Sequence, residues 1–204
     1  MPFKRLRFKA YTPERQYLTA GELKTVENLE IKSKRLQTVR DKFMFQCYTG
    51  VAFVDLNKLT ANNIVRGVDG EDWIVLHREK TNSRSTVPLL PITKTLIAKY
   101  STPDRATLFP ICSNQKFTQY LKELSQLCGI NKRITTHTGR RTFATTVTLS
   151  NGVPIETVSR MLGHNDLKTT SIYAKVVDTK ISEDMQRIKS KFGSVCQANK
   201  VDSI

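Results

Sequence analysis

The chain has 204 residues, 39% of them hydrophobic, which is enough to close an ordinary core in one domain or two small ones. Its 33 lysines and arginines against 18 acidic residues give a formal net charge of +15, which indicates a polyanionic partner, most commonly nucleic acid, although a ribosomal, membrane-surface or simply basic protein is also compatible. No apolar run approaches the roughly 18 residues of a membrane span, and no apolar secretory signal opens the chain, so we expect a soluble intracellular protein without membrane contact.

The first predicted elements are a basic arm and two helices. Residues 1–18 are basic, contain several aromatic residues and have no clear period, as an interdomain linker or a solvated tail would. Thr19 followed by Glu22 forms a capping-box sequence and predicts a helix to about Ile31. A second helix is predicted to end near Gly50, and its apolar face is marked by Leu36, Val39, Phe43 and Cys47.

A small antiparallel sheet is predicted next. The segments 63–68 and 73–80 flank Asp69-Gly70, a dipeptide typical of a hairpin turn. Residues 85–90 continue with strand-forming side chains. We therefore expect a three-stranded antiparallel sheet.

Helices dominate the second half of the chain. They are predicted at about 93–100, 114–128, 138–150 and 154–162. A last amphipathic helix over 181–192 is indicated by the spacing of Ile181, Met185, Ile188 and Phe192. The pattern predicts a mainly α, α+β domain with one small sheet.

The four cysteines are Cys47, Cys112, Cys128 and Cys196. They lie far apart and show no C-x-x-C spacing, so the sequence predicts neither a zinc site nor a redox pair.

Two stretches of the second half carry the chemistry. Residues 135–146 read TTHTGRRTFATT, and residues 161–176 read MLGHNDLKTTSIYAKV. Together they resemble the motifs of the tyrosine recombinases, or phage-type integrases: His-x-x-Arg followed by Thr-Phe-Ala-Thr, then Leu-Gly-His and a tyrosine nine residues later. The resemblance extends from Leu18 to the last predicted helix, so it implies the catalytic domain of that family.

The residues of these motifs suit phosphate chemistry. His137 and Arg140 lie three residues apart and share one helix face, where a guanidinium can bind two phosphate oxygens through parallel hydrogen bonds. His164 follows a glycine and can donate to the same oxygens, while His137 suits general acid/base catalysis near neutral pH. The resemblance implies that Tyr173 is the nucleophile. It also implies that Lys80, at the end of the second predicted strand, protonates the departing 5′ oxygen.

One position departs from the family pattern. The family usually has Thr-Gly-x-Arg at the end of an early helix, whereas YTGVAFVDL places Ala52 where the arginine is expected. Loss of one of two guanidiniums from a phosphate site can cost several kcal/mol of transition-state stabilisation. Our hypothesis is that Arg78 substitutes, since strand alternation would direct it and Lys80 to one face. Arg40 and Arg84 are weaker candidates. Some integrases of Bacteroidetes mobile elements are similar in lacking this arginine.

The resemblance implies a DNA strand transferase that works through a covalent 3′-phosphotyrosyl intermediate without metal, ATP or another cofactor. It implies site-specific recombination of double-stranded DNA, for integration or excision of a mobile element or for DNA inversion. We expect a linker over 1–18, a catalytic domain over 19–192 and a tail over 193–204. The full-length protein would form a homotetramer on DNA in the bacterial cytoplasm, associated with the nucleoid, and this chain alone would be a monomer. The helix over 181–192 would pack either into its own core or into a neighbouring protomer.

Two other functions stay open at this point. Residues 148–164, TLSNGVPIETVSRMLGH, have the helix, turn and helix of a helix-turn-helix, so a catalytically impaired DNA-binding module is an alternative that the alanine at position 52 favours. A topoisomerase could use the same tyrosine chemistry without defined DNA sites. Dependence of cleavage on DNA sequence would separate a recombinase from a topoisomerase.

Overall fold

The computed structural model describes residues 16–173, 185–186 and 188–189. Within these residues it has helices α1 (Ala20–Asn28), α2 (Lys34–Thr49), α3 (Phe53–Lys58), α4 (Pro91–Tyr100), α5 (Asn114–Leu127), α6 (Thr136–Thr142), α7 (Ile155–Met161) and α8 (Leu167–Ser171). The strands are β1 (Ile64–Arg66), β2 (Asp72–His77) and β3 (Arg84–Pro88). The predicted class, mainly α with a three-stranded antiparallel sheet, is confirmed.

Local sequence signals explain where the first two helices begin and end. The capping box is present: Glu22 N donates to Thr19 Oγ1 at 3.2 Å, and Thr19 N donates to Glu22 Oε2 at 2.8 Å. Helix α1 ends at Asn28, before the predicted Ile31. Helix α2 ends before Gly50, whose φ of 68° is left-handed and therefore favours glycine. The short helices α3 and α8 were not predicted.

The sheet has the order β1-β2-β3, and both pairs are antiparallel. Ile74 of β2 pairs with Ile64 of β1 and with Val87 of β3, which places apolar side chains side by side. The predicted second strand, 73–80, is too long, because β2 ends at His77 and the chain turns before β3. The alternation argument that placed Arg78 and Lys80 on one strand face is therefore wrong.

Three apolar clusters surround α2 and the sheet. The first joins α1, α2 and α5 through residues that include Val26, Phe43 and Leu121. The second lies between α2, α3 and the sheet and contains Phe45, Leu56 and Ile74, and the third joins β3, α6 and α7 through Val87, Phe143 and Leu162. Because α2 contributes to two clusters and also packs on α6, its position determines that of α6.

Helix α6 continues directly as a π-helix, Phe143–Thr148, and a 3-10 turn, Leu149–Asn151. Such π segments are frequent at functional sites. A Cβ at Gly139 would lie 2.9 Å from Gln46 Cβ, so a glycine is required where α6 crosses α2. This close approach brings the end of α6 to the end of α2.

The proposed domain limits stay predictions. Residues 1–15 of the linker and the tail over 193–204 lie outside the described residues, as does most of the predicted helix 181–192. Its described residues, 185–186 and 188–189, are helical and exposed. Leu18, which the linker prediction included, is fully buried, and its backbone N–H donates to Thr142 Oγ1 at 2.9 Å. Among the described residues no helix is long and apolar enough to cross a membrane.

The crossing of α2 and α6 makes a prediction for stability. Gly139→Ala should lower the free energy of unfolding by about 1–3 kcal/mol, since the new methyl group overpacks the contact with Gln46. Gly21→Ala is the matched control, because a Cβ there meets nothing within 4 Å, and it should stabilise α1 by about 0.5 kcal/mol. Urea denaturation measures both values. Equal effects of the two substitutions would contradict the close approach.

Candidate active site

Two arginines and a histidine meet at the segment that follows α7. Arg140 and Arg78 donate to the carbonyls of Leu162 and Gly163, and His164 comes next in the chain. Three elements distant in sequence, namely α6, the end of β2 and the turn after α7, therefore form one group. Within the described residues no three histidine, cysteine or acidic side chains group closely enough to hold a metal ion.

Arg140 is the most buried charge of this group, at 6% exposure. Its Nη1 donates to the carbonyl oxygen of Gly50 at 2.5 Å, and its Nη2 donates to that of Leu162. Burial, and then the charge of Arg78, lower the Arg140 pKa to about 10, while Tyr173 acts in the opposite direction. The guanidinium is thus cationic at neutral pH and fixed by two main-chain acceptors.

Arg78 lies just after β2, and one of its hydrogen-bond donors is buried without an acceptor among the described residues. Its Nη1 donates to Gly163 O at 3.0 Å, while its Nε is buried and has no hydrogen-bond partner among the described residues. Gly163 has a left-handed φ of 57°, and a Cβ there would lie 2.9 Å from Arg78 Cδ. A buried unpaired donor beside a second guanidinium is the arrangement that an anion would satisfy.

His164 is held by Thr170 of α8. The ring Nδ1 lies 2.8 Å from Thr170 Oγ1. Burial, followed by the charges of Arg140 and Arg78, lowers the pKa of His164 to about 4, so the ring is neutral at pH 7. When the Thr170 hydroxyl donates to Nδ1, the ring proton is on Nε2, which can donate to an oxygen in the site.

His137 and Lys80 form the outer part of the group. His137 lies at the surface in the first turn of α6, and Lys80 is exposed in the turn between β2 and β3. Partial desolvation of the His137 ring, then the charges of Arg141, Arg140 and Lys80, hold its pKa below the usual value. A neutral imidazole near pH 7 can accept a proton.

Tyr173 follows α8 and is half-buried against the third cluster, beside residues that include Phe143 and Leu162. Its backbone N–H donates to Thr170 O at 2.9 Å. Because Thr170 also binds His164, one residue joins the histidine to the tyrosine. Sequence reasoning missed Thr170, although it lies six residues after His164 and three before Tyr173.

Ala52 precedes α3, two residues after the Gly50 carbonyl that binds Arg140. Sequence reasoning also missed Asp55, a buried acid in the first turn of α3 whose charge raises the Arg140 pKa. Its Oδ1 accepts a hydrogen bond from Glu79 N at 2.9 Å, which ties the turn after β2 to α3. The sequence signal that could have identified Asp55 is its position three residues after Ala52, where the family arginine is expected.

The two weaker candidates for the missing arginine make other contacts. Arg40 donates to Asp41 at 2.9 Å and to the Leu29 carbonyl at 2.7 Å, on the α1 side of α2. Arg84 is exposed on β3, where it lines a cleft of about 570 Å³ with Trp73 and His164. Of the three arginines considered, only Arg78 donates from its guanidinium to the Leu162–Gly163 segment that Arg140 also binds.

Comparison with known proteins identifies relatives of this chain. Residues 17–180 match the model of the phage integrase family. A tyrosine recombinase XerD of Oceanobacillus iheyensis is 30% identical over 175 residues, 78% of this chain and 57% of that protein. A tyrosine recombinase of Pseudothermotoga lettingae is 50% identical over 58 residues, 28% of this chain and 20% of the relative. The matched part of the chain thus spans 57% of the length of the first relative and 20% of the length of the second.

Solved structures show the same fold. The crystal structure of XerA recombinase superposes with a TM-score of 0.68 at 24% identity, covering 86% of this chain and 65% of that one. A lambda integrase dimer bound to a COC′ core site gives a TM-score of 0.63 at 17% identity, covering 79% and 60% of the two chains.

The lowered pKa of His164 makes a prediction for stability against pH. In the unfolded chain this histidine has the usual pKa of 6.5, whereas in the folded chain its pKa is about 4. The stability contribution is therefore present above pH 6.5 and is lost as pH falls from 6.5 towards 4. Thermal denaturation at stepped pH should show this loss, and His164→Asn should reduce it. An identical acid limb in His164→Asn would contradict the assignment; His77→Asn, an exposed histidine, is the control.

Proposed function

The chain belongs to the phage integrase family of tyrosine recombinases, and from this premise we propose that it cleaves and rejoins duplex DNA at specific sites with Tyr173 as nucleophile. One observation carries the proposal. Two guanidiniums, Arg140 and Arg78, meet beside Tyr173 and His164, and the buried Nε of Arg78 has no partner among the described residues. Together these groups form a receptor for a dianionic transition state.

Arg140 and Arg78 bind the non-bridging oxygens of the scissile phosphate. Two of the Arg140 donors hold main-chain carbonyls, and its remaining N–H groups are left for the phosphate. The Arg78 Nε supplies the donor that the arginine absent at Ala52 would have provided. The neutral His164 adds a hydrogen bond from Nε2.

Cleavage is a single displacement reaction at phosphorus. The Tyr173 oxygen bonds to phosphorus, its proton passes to His137, and the bond from phosphorus to the 5′ oxygen breaks. Lys80 gives a proton to that 5′ oxygen. The lowered pKa of His137 supports its role as acceptor, because it favours the neutral ring, in which one nitrogen can take up a proton.

The product is a 3′-phosphotyrosyl ester, which conserves the energy of the broken phosphodiester. The 5′ hydroxyl of a second DNA strand can therefore displace Tyr173 without ATP, metal or cofactor. Two duplexes must be held together for this exchange, so we propose a homotetramer on DNA, with integration or excision of a mobile element as the outcome. The lambda integrase structure, a dimer bound to a COC′ core site, supports a DNA-bound oligomer by analogy. The net charge of +15 is consistent with a DNA partner.

The tyrosine chemistry has a direct test. The protein is incubated, without divalent metal, with a suicide duplex that carries the recombination site of the DNA element encoding it. A covalent protein–DNA adduct should appear on a denaturing gel and should be absent with Tyr173→Phe. Tyr120→Phe, a tyrosine on α5 that packs under Arg35, is the matched control and should form the adduct. No adduct from the unmodified protein, with retained binding to the same duplex, would favour a DNA-binding module without catalysis.

The role of Arg78 has a separate test. Arg78→Ala should lower the single-turnover cleavage rate about a hundredfold or more, whereas Arg66→Ala, which removes an exposed arginine on β1, should change it little. Adding Ala52→Arg to Arg78→Ala should recover part of the loss, since residue 52 lies beside the Gly50 anchor of Arg140. A double variant no faster than Arg78→Ala alone would count against the substitution.

A further inference from the structure

Backbone hydrogen bonds close the turn that carries Lys80, and Asp55 anchors its N-terminal end. Thr81 N and Asn82 N both donate to the Arg78 carbonyl, at 3.3 and 2.8 Å, and Asn82 takes a left-handed φ of 49°. Asp55 Oδ1 accepts from Glu79 N at 2.9 Å, immediately before the lysine. Lys80 is thus presented by a turn whose backbone is fixed, although its own side chain is exposed.

Two hydroxyl groups anchor the second side of the turn. Ser83 Oγ lies 2.6 Å from Gly163 O, and Thr81 Oγ1 lies 2.6 Å from Ser83 Oγ. A carbonyl can only accept, so Ser83 donates its proton to Gly163, and its oxygen accepts from the Thr81 hydroxyl. This series of hydrogen bonds connects Thr81, the residue after Lys80, with Gly163, the residue before His164.

The Gly163 carbonyl is the shared anchor. It accepts from Ser83 Oγ and also from Arg78 Nη1 at 3.0 Å. A Cβ at Gly163 would lie 3.2 Å from the Arg84 carbonyl oxygen, so the two turns are in close backbone contact. A shift of the Lys80 turn relative to His164 must therefore break the Ser83 hydrogen bond.

We propose that Ser83 is a positioning residue whose hydroxyl holds the Lys80 turn against Gly163, so that the Lys80 ammonium reaches the departing 5′ oxygen. The inference rests on the proposed function and deepens it, because it assigns to Ser83 the alignment of one proton transfer. As the bond from phosphorus to the 5′ oxygen breaks, the proton passes from Lys80 Nζ to that oxygen. A displacement of about 1 Å in such a group can cost about a hundredfold in rate.

A change of leaving group isolates this step. In a duplex whose scissile 5′ oxygen is replaced by sulfur, the leaving thiolate needs no proton, so a variant defective only in Lys80 protonation is rescued. Ser83→Ala should be slowed about tenfold or more on the oxygen substrate and less than about threefold on the sulfur substrate. Lys80→Ala should show the same rescue, and Ser83→Thr should restore cleavage of the oxygen substrate.

Ser85→Ala is the matched control. Ser85 lies on β3, two residues after Ser83, and donates to the carbonyl of Met161 at the end of α7, but it does not adjoin the lysine turn. Its loss should affect both substrates equally. If Ser83→Ala and Ser85→Ala behave alike, with no rescue by sulfur, the positioning role is overturned and only general packing remains.

Hydrogen exchange tests the positioning role without catalysis. In Ser83→Ala the amides of Glu79 and Asn82 should exchange about fivefold faster, because the hydrogen bond that anchors the turn on Gly163 is lost, whereas Ser85→Ala should leave them unchanged. Unchanged exchange in Ser83→Ala would overturn the positioning role. If the unmodified protein cleaves neither substrate but Ser83→Ala still shows the faster exchange, only the proposed function is contradicted.

Discussion

The burial of the Arg140 guanidinium is the constraint on which the rest of the site depends. A buried cation needs acceptors, and two main-chain carbonyls supply them, from Gly50 after α2 and from Leu162 after α7. These bonds hold three separate parts of the chain at one point. Glycines at 50, 139 and 163 remove the side chains that would prevent this convergence.

Burial, together with the charges of the site, favours the neutral form of its two histidines. Burial, followed by the charge of Arg78, lowers the pKa of Arg140, and burial, followed by the charges of Arg140 and Arg78, lowers the pKa of His164. An arriving phosphate would reverse this repulsion. In the proposed mechanism the neutral His164 would serve as a hydrogen-bond donor. His137, whose pKa is lowered by burial and then by the charges of Arg141, Arg140 and Lys80, would serve as the proton acceptor.

Local patterns predicted much of the fold and the motif residues. The capping box at Thr19 and the glycine stop at Gly50 depend on neighbours in sequence, so they could be read directly. The helices α3 and α8, of six and five residues, are too short to show a period. The hydrogen bond from Ser83 to Gly163 joins residues 80 positions apart, so no local sequence pattern predicts it. The sequence prediction extended β2 beyond His77, because the strand-forming residues before that position gave no sign of where the strand ends.

The central claim is that Arg140 and Arg78 together bind the scissile phosphate. The most direct measurement is a crystal structure of Tyr173→Phe bound to its uncleaved recombination site. We expect non-bridging oxygens of one phosphate at about 3 Å from Arg140 and from the Nε of Arg78. A scissile phosphate held by Arg140 and another cation, with Arg78 Nε still unpaired, would contradict the account.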